Sequence, residues 1–387
     1  MSTELSPARA AEMADSAYAL RLSSEMLDAA IAAPTARDAF DLVHGTRLTG
    51  GTGLGNSIVQ QRTGFGYVAR GRNNRQGECL ISVRGTFKTS ACDWLTNLRM
   101  AGVSGPSGFT VHAGFWAAAQ TLLPQIRQAI RAQGDLSTIH VVGHSLGGAI
   151  ATLLADSLGD TGCKLQLYTF GAPRAGVSLH AQYLTSRLGV ANIHRVYHDT
   201  DPVPMVPVFP YSHVPWHENA YRLKGPGTVV CLDAHMMPQY RRSVGDCGWR
   251  SLPVLQSGPG SFEQAEAWLR TAADAGGTSI MLSATALRWM LSALGWILKQ
   301  LGYVAGLAVL GGATIIDSLA QLLYSGVLQS VRLAMMIRNR IGAIMRFPGR
   351  TVATTTNITV SFVEYVLGML FRFVSNVATR AVDAIGR

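Results

Sequence analysis

The spacing of apolar positions changes several times along the chain, and each change marks an element. Ala10, Met13, Ala17, Leu20 and Ser24 recur near helical spacing, which predicts an amphipathic N-terminal helix over residues 6–33, ending before Pro34. From about Thr63 the pattern becomes strand and turn: Gly66 to Ala69, a polar turn Gly71 to Gly77, then Cys79 to Val83. This reads as a hairpin whose second strand is central. After a Gly/Pro-rich loop, Phe115 to Ala132 reads as a helix, Thr138 to Val142 as a short apolar strand, and Ser145 to about Leu158 as a helix. Lys164 to Phe170 then reads as a strand, Leu179 to Arg187 as a helix, Ile193 to Tyr197 as a strand and Thr228 to Leu232 as another. Strands alternating with helices predict an α/β fold with a mostly parallel sheet covered on both faces.

The pattern changes again near the C-terminus. Pro253 to Gly277 is rich in Gly, Ser and Ala and reads as a connector. Trp289 to Ile316 then runs for 28 residues with Lys299 as its one charge, and Gln300 to Ile316 is free of charge over 17. That length is at the lower edge of what spans a bilayer. Further apolar runs follow at Ser318 to Val331, Thr351 to Val363 (β-branched) and Tyr365 to Phe371, with a basic cluster at Arg332 to Arg350. The expected division is therefore an α/β domain over 1–250, a connector over 251–278, and an all-α apolar basic tail over 279–387.

Composition sharpens that division. The chain of 387 residues is 48% hydrophobic and 14% charged, which excludes a disordered chain. Its net charge of +10 first suggests nucleic acid or an anionic membrane. From Thr278 onward there are ten basic residues against Asp317, Glu364 and Asp383, so the tail holds +7 of that charge. With no recognition motif beside the charge, a nucleic-acid role is set aside. The five cysteines have no CxxC or Cys/His spacing, so neither a disulfide scaffold nor a zinc site is expected, and a Cys231–Cys247 bridge stays a minor option. Acids at Glu4, Glu12, Asp15, Glu25 and Asp28 argue against a cleavable signal peptide in the first 33 residues. The expected location is therefore a membrane surface, or export without such a signal.

Gly143-His144-Ser145-Leu146-Gly147 follows a strand and opens a helix, the context that gives GxSxG its chemical meaning. A serine on such a tight turn is displayed in strained backbone, the glycines leave room for neighbouring chain, and the helix N-terminus favours negative charge. Ser145 is thus the candidate nucleophile. A base and an orienter should follow in the order acid, then histidine. Asp156 and Asp160 lie too close to the nucleophile helix, which leaves Asp199 and Asp201 just past a strand; the stiff Pro202-Val203-Pro204 favours Asp201. Of His213, His217 and His235, the last lies in a loop placed to swing over Ser145 and is the favoured base, with His213 as the alternative. The oxyanion donors expected are the N–H of Leu146 and Thr86, in the strand-end loop Arg84-Gly85-Thr86-Phe87. This chemistry calls for no metal and no cofactor.

Val83-Arg84-Gly85-Thr86, Asp93-Trp94-Leu95, Val111-His112-Ala113-Gly114-Phe115 and the Ser145 motif occur in that order. Phe170-Gly171-Ala172-Pro173-Arg174, Asp201-Pro202-Val203-Pro204 and His235-Met236-Met237-Pro238-Gln239-Tyr240 follow them. Over roughly residues 10–245 this series resembles the class 3 (fungal-type) lipases. The resemblance implies an α/β-hydrolase fold, hydrolysis of acylglycerol or phospholipid esters, and Ser145, Asp201 and His235 as triad with Thr86 and Leu146 as oxyanion pair. It also implies a lid at Lys88 to Met100, whose Trp94, Leu95, Leu98 and Met100 offer an apolar face. Asn97 departs from the family pattern, in which an acid is common there.

The resemblance stops before the tail, which has two readings: a helical bundle packed on the catalytic part, or short apolar helices that meet a membrane through flanking arginines, Trp289 and Trp296, with Gly302 and Gly306 as a close-packing pair. The sequence thus predicts a lipid-ester hydrolase with a membrane surface as partner; the competing reading is a membrane-associated interaction or effector protein on a hydrolase scaffold.

Overall fold

A computed structural model of the chain describes residues 4–18, 38–42, 44–51, 62–85, 102–216, 220–255, 284–300, 315–329, 331–346 and 357–385. The helices are α1 (Pro7–Ser16), α2 (Ala113–Ala132), α3 (Leu146–Ser157), α4 (Ser178–Leu188) and α5 (Met237–Val244), then α6 (Ala284–Gln300), α7 (Ile315–Gln329), α8 (Val331–Arg346) and α9 (Val360–Ala384) in the tail. The main sheet contains β1 (Thr46–Gly51), β2 (Arg62–Arg70), β3 (Glu78–Val83), β6 (Thr138–His144), β7 (Lys164–Phe170), β9 (Ile193–His198), β11 (Ala220–Leu223) and β12 (Val254–Leu255), in that spatial order. Its centre, β3-β6-β7-β9-β11, is parallel, and antiparallel strands flank it on both sides. A small antiparallel sheet of β10 (Tyr211–Ser212), β8 (Gly176–Val177), β5 (Thr110–His112) and β4 (Gly102–Ser104) lies beside it. This is the expected α/β-hydrolase arrangement.

Alternation along the central strands divides the core into two layers. Cys79, Ile81, Ile139, Val141, Leu165, Leu167 and Ile193 point to one face, where α2, α3 and α4 pack. Leu80, Val142, Tyr168, Phe170 and Val196 point to the other, covered by α1 and α5. α1 starts where Ser6 caps the Arg9 N–H and Pro7 stands in the first turn, and it buries Ala10, Ala11, Met13 and Ala14. Helical turns continue to Tyr18, and the rest of the sequence-predicted helix lies outside the described residues. The backbone before it is clamped, since the Tyr168 hydroxyl accepts from the Leu5 N–H and the Trp249 indole donates to the Leu5 carbonyl.

One strand expectation needs correction. Thr228 to Leu232 forms no strand beyond a single bridge at Val229, which is 43% exposed, and the segment follows the Gly225-Pro226-Gly227 turn. The strand beyond β9 is instead Ala220–Leu223, four residues whose half-polar composition hides them from an apolar scan. The described cysteines, Cys231 and Cys247 among them, are free thiols.

In the tail, α7 packs against α8 and α9, and α6 against α7 and α8. The later part of the third apolar run and the fourth belong to one helix, α9, capped by Thr359. The bundle's core is continuous with that of the α/β part: Leu287, Met290, Val363, Val366 and Leu370 belong to the same buried cluster as Val203, Met205 and Val206. α9 also lies against the 3₁₀ turns Val203–Met205 and Asp233–His235.

One buried ion pair fixes the edge between β2 and β3. Arg75 donates to Glu78 Oε2 at 2.6 Å, and His140 Nε2 lies 2.8 Å from the same oxygen. Burial alone would raise the Glu78 carboxyl, but bonds from His140 and Arg75 outweigh it and hold the group below its usual value. Burial keeps His140 neutral, so its Nε2–H is the donor. A depressed carboxyl adds stability that is complete above about pH 4.5 and lost as pH falls through the folded value. Glu78→Gln should therefore lower unfolding free energy at pH 7 by about 1–3 kcal/mol, with the gap to wild type narrowing below about pH 4.5. Denaturant titrations at pH 7 and pH 4 measure both effects; a gap independent of pH contradicts this account.

Candidate active site

The strand-to-helix turn is built by close approach. Ser145 has φ 58° and ψ −134°, a conformation that residues with a side chain rarely adopt. A Cβ on Gly143 would stand 2.3 Å from the Gly147 carbonyl oxygen, and one on Gly147 would stand 2.3 Å from the Val83 carbonyl oxygen. Glycine is required at both positions because strand β6, strand β3 and the first turn of α3 touch there through backbone. The Ser145 N–H donates to Phe170 at 2.9 Å, and the Gly148 N–H to Ser145 at 2.9 Å.

Three sequence-predicted residues meet at this turn. His235 Nε2 is 2.8 Å from Ser145 Oγ, and His235 Nδ1 is 2.9 Å from Asp201 Oδ2. All three side chains are fully buried. Asp201 further accepts from the Val203 N–H at 2.9 Å and from the Tyr240 hydroxyl at 2.6 Å. Burial alone would raise its carboxyl; the neighbouring His235 and these bonds reverse that and hold it below 3.8. Burial and the Asp201 charge push the Tyr240 hydroxyl well above its usual value, so it stays a donor.

The alternatives weighed in the sequence fall elsewhere. Asp199 Oδ1 accepts from the Gly225 N–H at 2.7 Å, and His213 Nε2 donates to the Pro204 carbonyl at 2.8 Å. His217 lies outside the described residues, as do Thr86, Asn97 and the whole Lys88 to Met100 segment. Leu146 is the first residue of α3, a position whose N–H has no acceptor within the helix. Gly85 borders the serine: a Cβ there would stand 3.2 Å from Ser145 Cβ. Among the described residues no group of three His, Cys, Asp or Glu side chains could hold a metal ion.

From the sequence His144 is expected to pack in the elbow rather than titrate, while Tyr18, His198 and Tyr240, which complete a second polar layer, receive no role. His144 Nε2 lies 2.8 Å from the His235 carbonyl, which can only accept, so this nitrogen carries the proton. His144 Nδ1 must then accept from the Tyr18 hydroxyl at 2.7 Å, and Tyr18 in turn accepts from the Gly85 N–H at 3.3 Å. Burial, with the nearby His235, holds His144 well below its ordinary value and keeps it neutral. On the other side His198 Nδ1 donates to the Ala234 carbonyl at 2.6 Å, and its ring stacks on Tyr240 with centroids 4.1 Å apart. The available signal was local: His144 inside the GxSxG motif, His198 three residues before Asp201, and Tyr240 five after His235.

A serine, a histidine and a carboxylate in hydrogen-bonded series on a strand-to-helix turn is the arrangement of serine hydrolases. Residues 80–211 match the family model described as "Lipase (class 3)". A secreted mono- and diacylglycerol lipase 1 of Fusarium solani is 37% identical over 165 residues, covering 41% of this chain and 48% of that protein. A secreted mono- and diacylglycerol lipase A of Penicillium cyclopium is 30% identical over 221 residues, covering 54% of this chain and 67% of that protein. Among solved structures, the mono- and diacylglycerol lipase from Aspergillus oryzae aligns with 59% of this chain and 82% of its own at 23% identity, with a TM-score of 0.42. The chain belongs to the class 3 lipase family, and it spans about half the length of the Fusarium relative.

Tyr240 tests the second layer. Tyr240→Phe removes one donor to Asp201 and leaves the His198 N–H, which donates to the Tyr240 oxygen at 3.2 Å, without that acceptor. The expected cost is about 1–3 kcal/mol of unfolding free energy, read by denaturant titration. A cost near zero would show that the buried phenol is dispensable.

Proposed function

We propose that this chain is a serine carboxylic-ester hydrolase of lipid esters, of acylglycerol lipase or phospholipase A type. The observation that carries the reading is the unbroken series Ser145 Oγ, His235, Asp201, with both hydrogen bonds under 3 Å. His235 Nε2 takes the Ser145 proton as Oγ attacks the ester carbonyl. The oxyanion is held by the Leu146 N–H and Thr86, the imidazolium by Asp201. The tetrahedral intermediate collapses, His235 returns the proton to the leaving alcohol, and an acyl-enzyme remains. Water, deprotonated by His235, repeats the attack and releases the fatty acid. The relatives named as mono- and diacylglycerol lipases make partial glycerides the first substrates to test.

Ser145→Ala should lower turnover of p-nitrophenyl esters and monoacylglycerol at least about 1000-fold while Tm stays near that of wild type. Retained turnover in the variant sinks the assignment.

We also infer that the tail meets anionic membranes along its surface. Among the described helices α9 alone is long and apolar enough to cross a bilayer, yet 44% of its apolar window is buried and it packs against α7, α8 and the turns beside Asp201 and His235. Support for a peripheral contact comes from the α7–α8 corner, where Leu328 is 71% and Met335 57% exposed. α8 adds Arg332, Arg338, Arg340 and Arg346 with no acid. Apolar tips beside basic residues suit an anionic interface. Leu328→Asp with Met335→Asp should reduce co-sedimentation with phosphatidylglycerol vesicles several-fold and leave the fold unchanged. Undiminished sedimentation places the contact elsewhere.

A further inference from the structure

A second set of buried charges lies where the tail meets the sheet. Alternation along β9 puts Arg195 and Tyr197 on the face of Ile193, and α6 brings Arg288 to the same place. The guanidinium carbon of Arg195 is 4.3 Å from the Tyr197 ring centroid and that of Arg288 is 5.6 Å from it. Arg174, from the loop after β7, reaches the same neighbourhood and donates to the Met205 and Pro207 carbonyls. Burial and mutual repulsion pull Arg174 down to about 9, and burial pulls Arg195 down to about 10; both remain protonated at neutral pH.

Among the described residues no carboxylate stands within ion-pair distance of these charges, and the Asp199 and Asp201 charges reach Arg288 only from farther away. Arg195 Nε and Arg288 Nη2 are buried without a hydrogen-bond partner, and none of the three arginines forms an ion pair. The titratable groups nearby are engaged or neutral. Asp199 is held by Gly225, and Asp201 by His235, Tyr240 and Val203. His213 is kept neutral by burial and by Arg195 and Arg174. Unpaired buried charge is costly, and guanidinium forks with open donors are suited to planar or tetrahedral oxyanions. A carboxylate brings one charge and two oxygens. A phosphate brings up to two charges and three acceptor oxygens, which better matches three guanidinium groups.

We propose that Arg174, Arg195 and Arg288 form a binding site for a phosphate group at the junction of the sheet and the tail. The phosphate arrives as the free ion or as a phospholipid headgroup. Arg195 is 7% exposed, whereas Arg174 and Arg288 are only half-buried. Because Arg288 belongs to α6 and the other two to the catalytic part, an occupied site ties the tail to the sheet.

The test uses the full chain with Ser145→Ala, so that lipid is not consumed. At constant ionic strength, exchanging chloride for about 10 mM inorganic phosphate should raise Tm by about 2–4 °C. Arg288→Met, which keeps the apolar stem and removes the charge, should abolish that rise, and Arg195→Met provides a second variant. Calorimetric displacement of phosphate by dihexanoyl phosphatidic acid, and not by dihexanoylglycerol, identifies a headgroup site; phosphate binding without such displacement identifies the free ion. Equal Tm in phosphate and chloride, or an undiminished shift in Arg288→Met, overturns the proposal. Ester turnover is not the readout, so this result stands apart from the hydrolase reading.

Discussion

Everything at the candidate site rests on one close backbone approach, that of the first turn of α3 to the ends of β3 and β6. Val83 and Gly143 are partners in the parallel register, and Gly147 presses against the Val83 carbonyl. A side chain at either glycine would lift α3 from the sheet and take Ser145 with it. The φ of 58° at Ser145 costs on the order of 1–3 kcal/mol. That strain persists because α3 is buried along almost its whole length, with Ile150, Leu153 and Leu154 fully enclosed. The helix cannot relax the turn without exposing that surface.

The histidine arrives by a different route. His235 sits in a single 3₁₀ turn that no sheet pairing positions, so its precision has to come from hydrogen bonds to its backbone. Two neutral histidines supply them: His144 Nε2–H to the His235 carbonyl and His198 Nδ1–H to the Ala234 carbonyl. Each is anchored on a central strand, β6 and β9. Burial keeps both rings below their ordinary values, which keeps one nitrogen of each free to accept. Ser243 and Tyr18 occupy those acceptors. The loop thus inherits the rigidity of the sheet at one remove.

How far the sequence carries follows from the same distinction. Where a side chain's position is set by a strand or helix of strong period, the reading works: β7 is found as Lys164–Phe170, and the turn at Ser145 falls between elements whose patterns differ. The choice of Asp201 over Asp199 was also legible, because the rigid segment after it fixes its loop while Asp199 serves a turn at Gly225. Tyr18, His198 and Tyr240 were not legible as a network. Their contacts join residues 36 to 126 positions apart, and no local pattern encodes such pairings. The false strand at Thr228 to Leu232 has the opposite cause: its apolar residues are half-exposed beside the tail, where the Ala284 N–H donates to the Thr228 carbonyl, rather than inside the sheet.

The tail shows why composition alone misleads. Its apolar helices first suggest contact with lipid, yet much of that surface is spent inside the protein, on a bundle core that continues into Val203, Met205 and Val206 beside the acid loop. The low overall charge is thus shared between an enclosed bundle and the sheet layers. The positive balance, by contrast, is spread over several elements. Four arginines belong to α8, and Arg288 is turned inward onto Tyr197 and Arg195. An arginine buried against two others of like charge is costly to the chain, and its placement there makes sense when an anion completes the cluster. Charge that looked like one property of a basic protein is therefore carried by separate elements, and the inward trio is the part that an enclosed anion would complete.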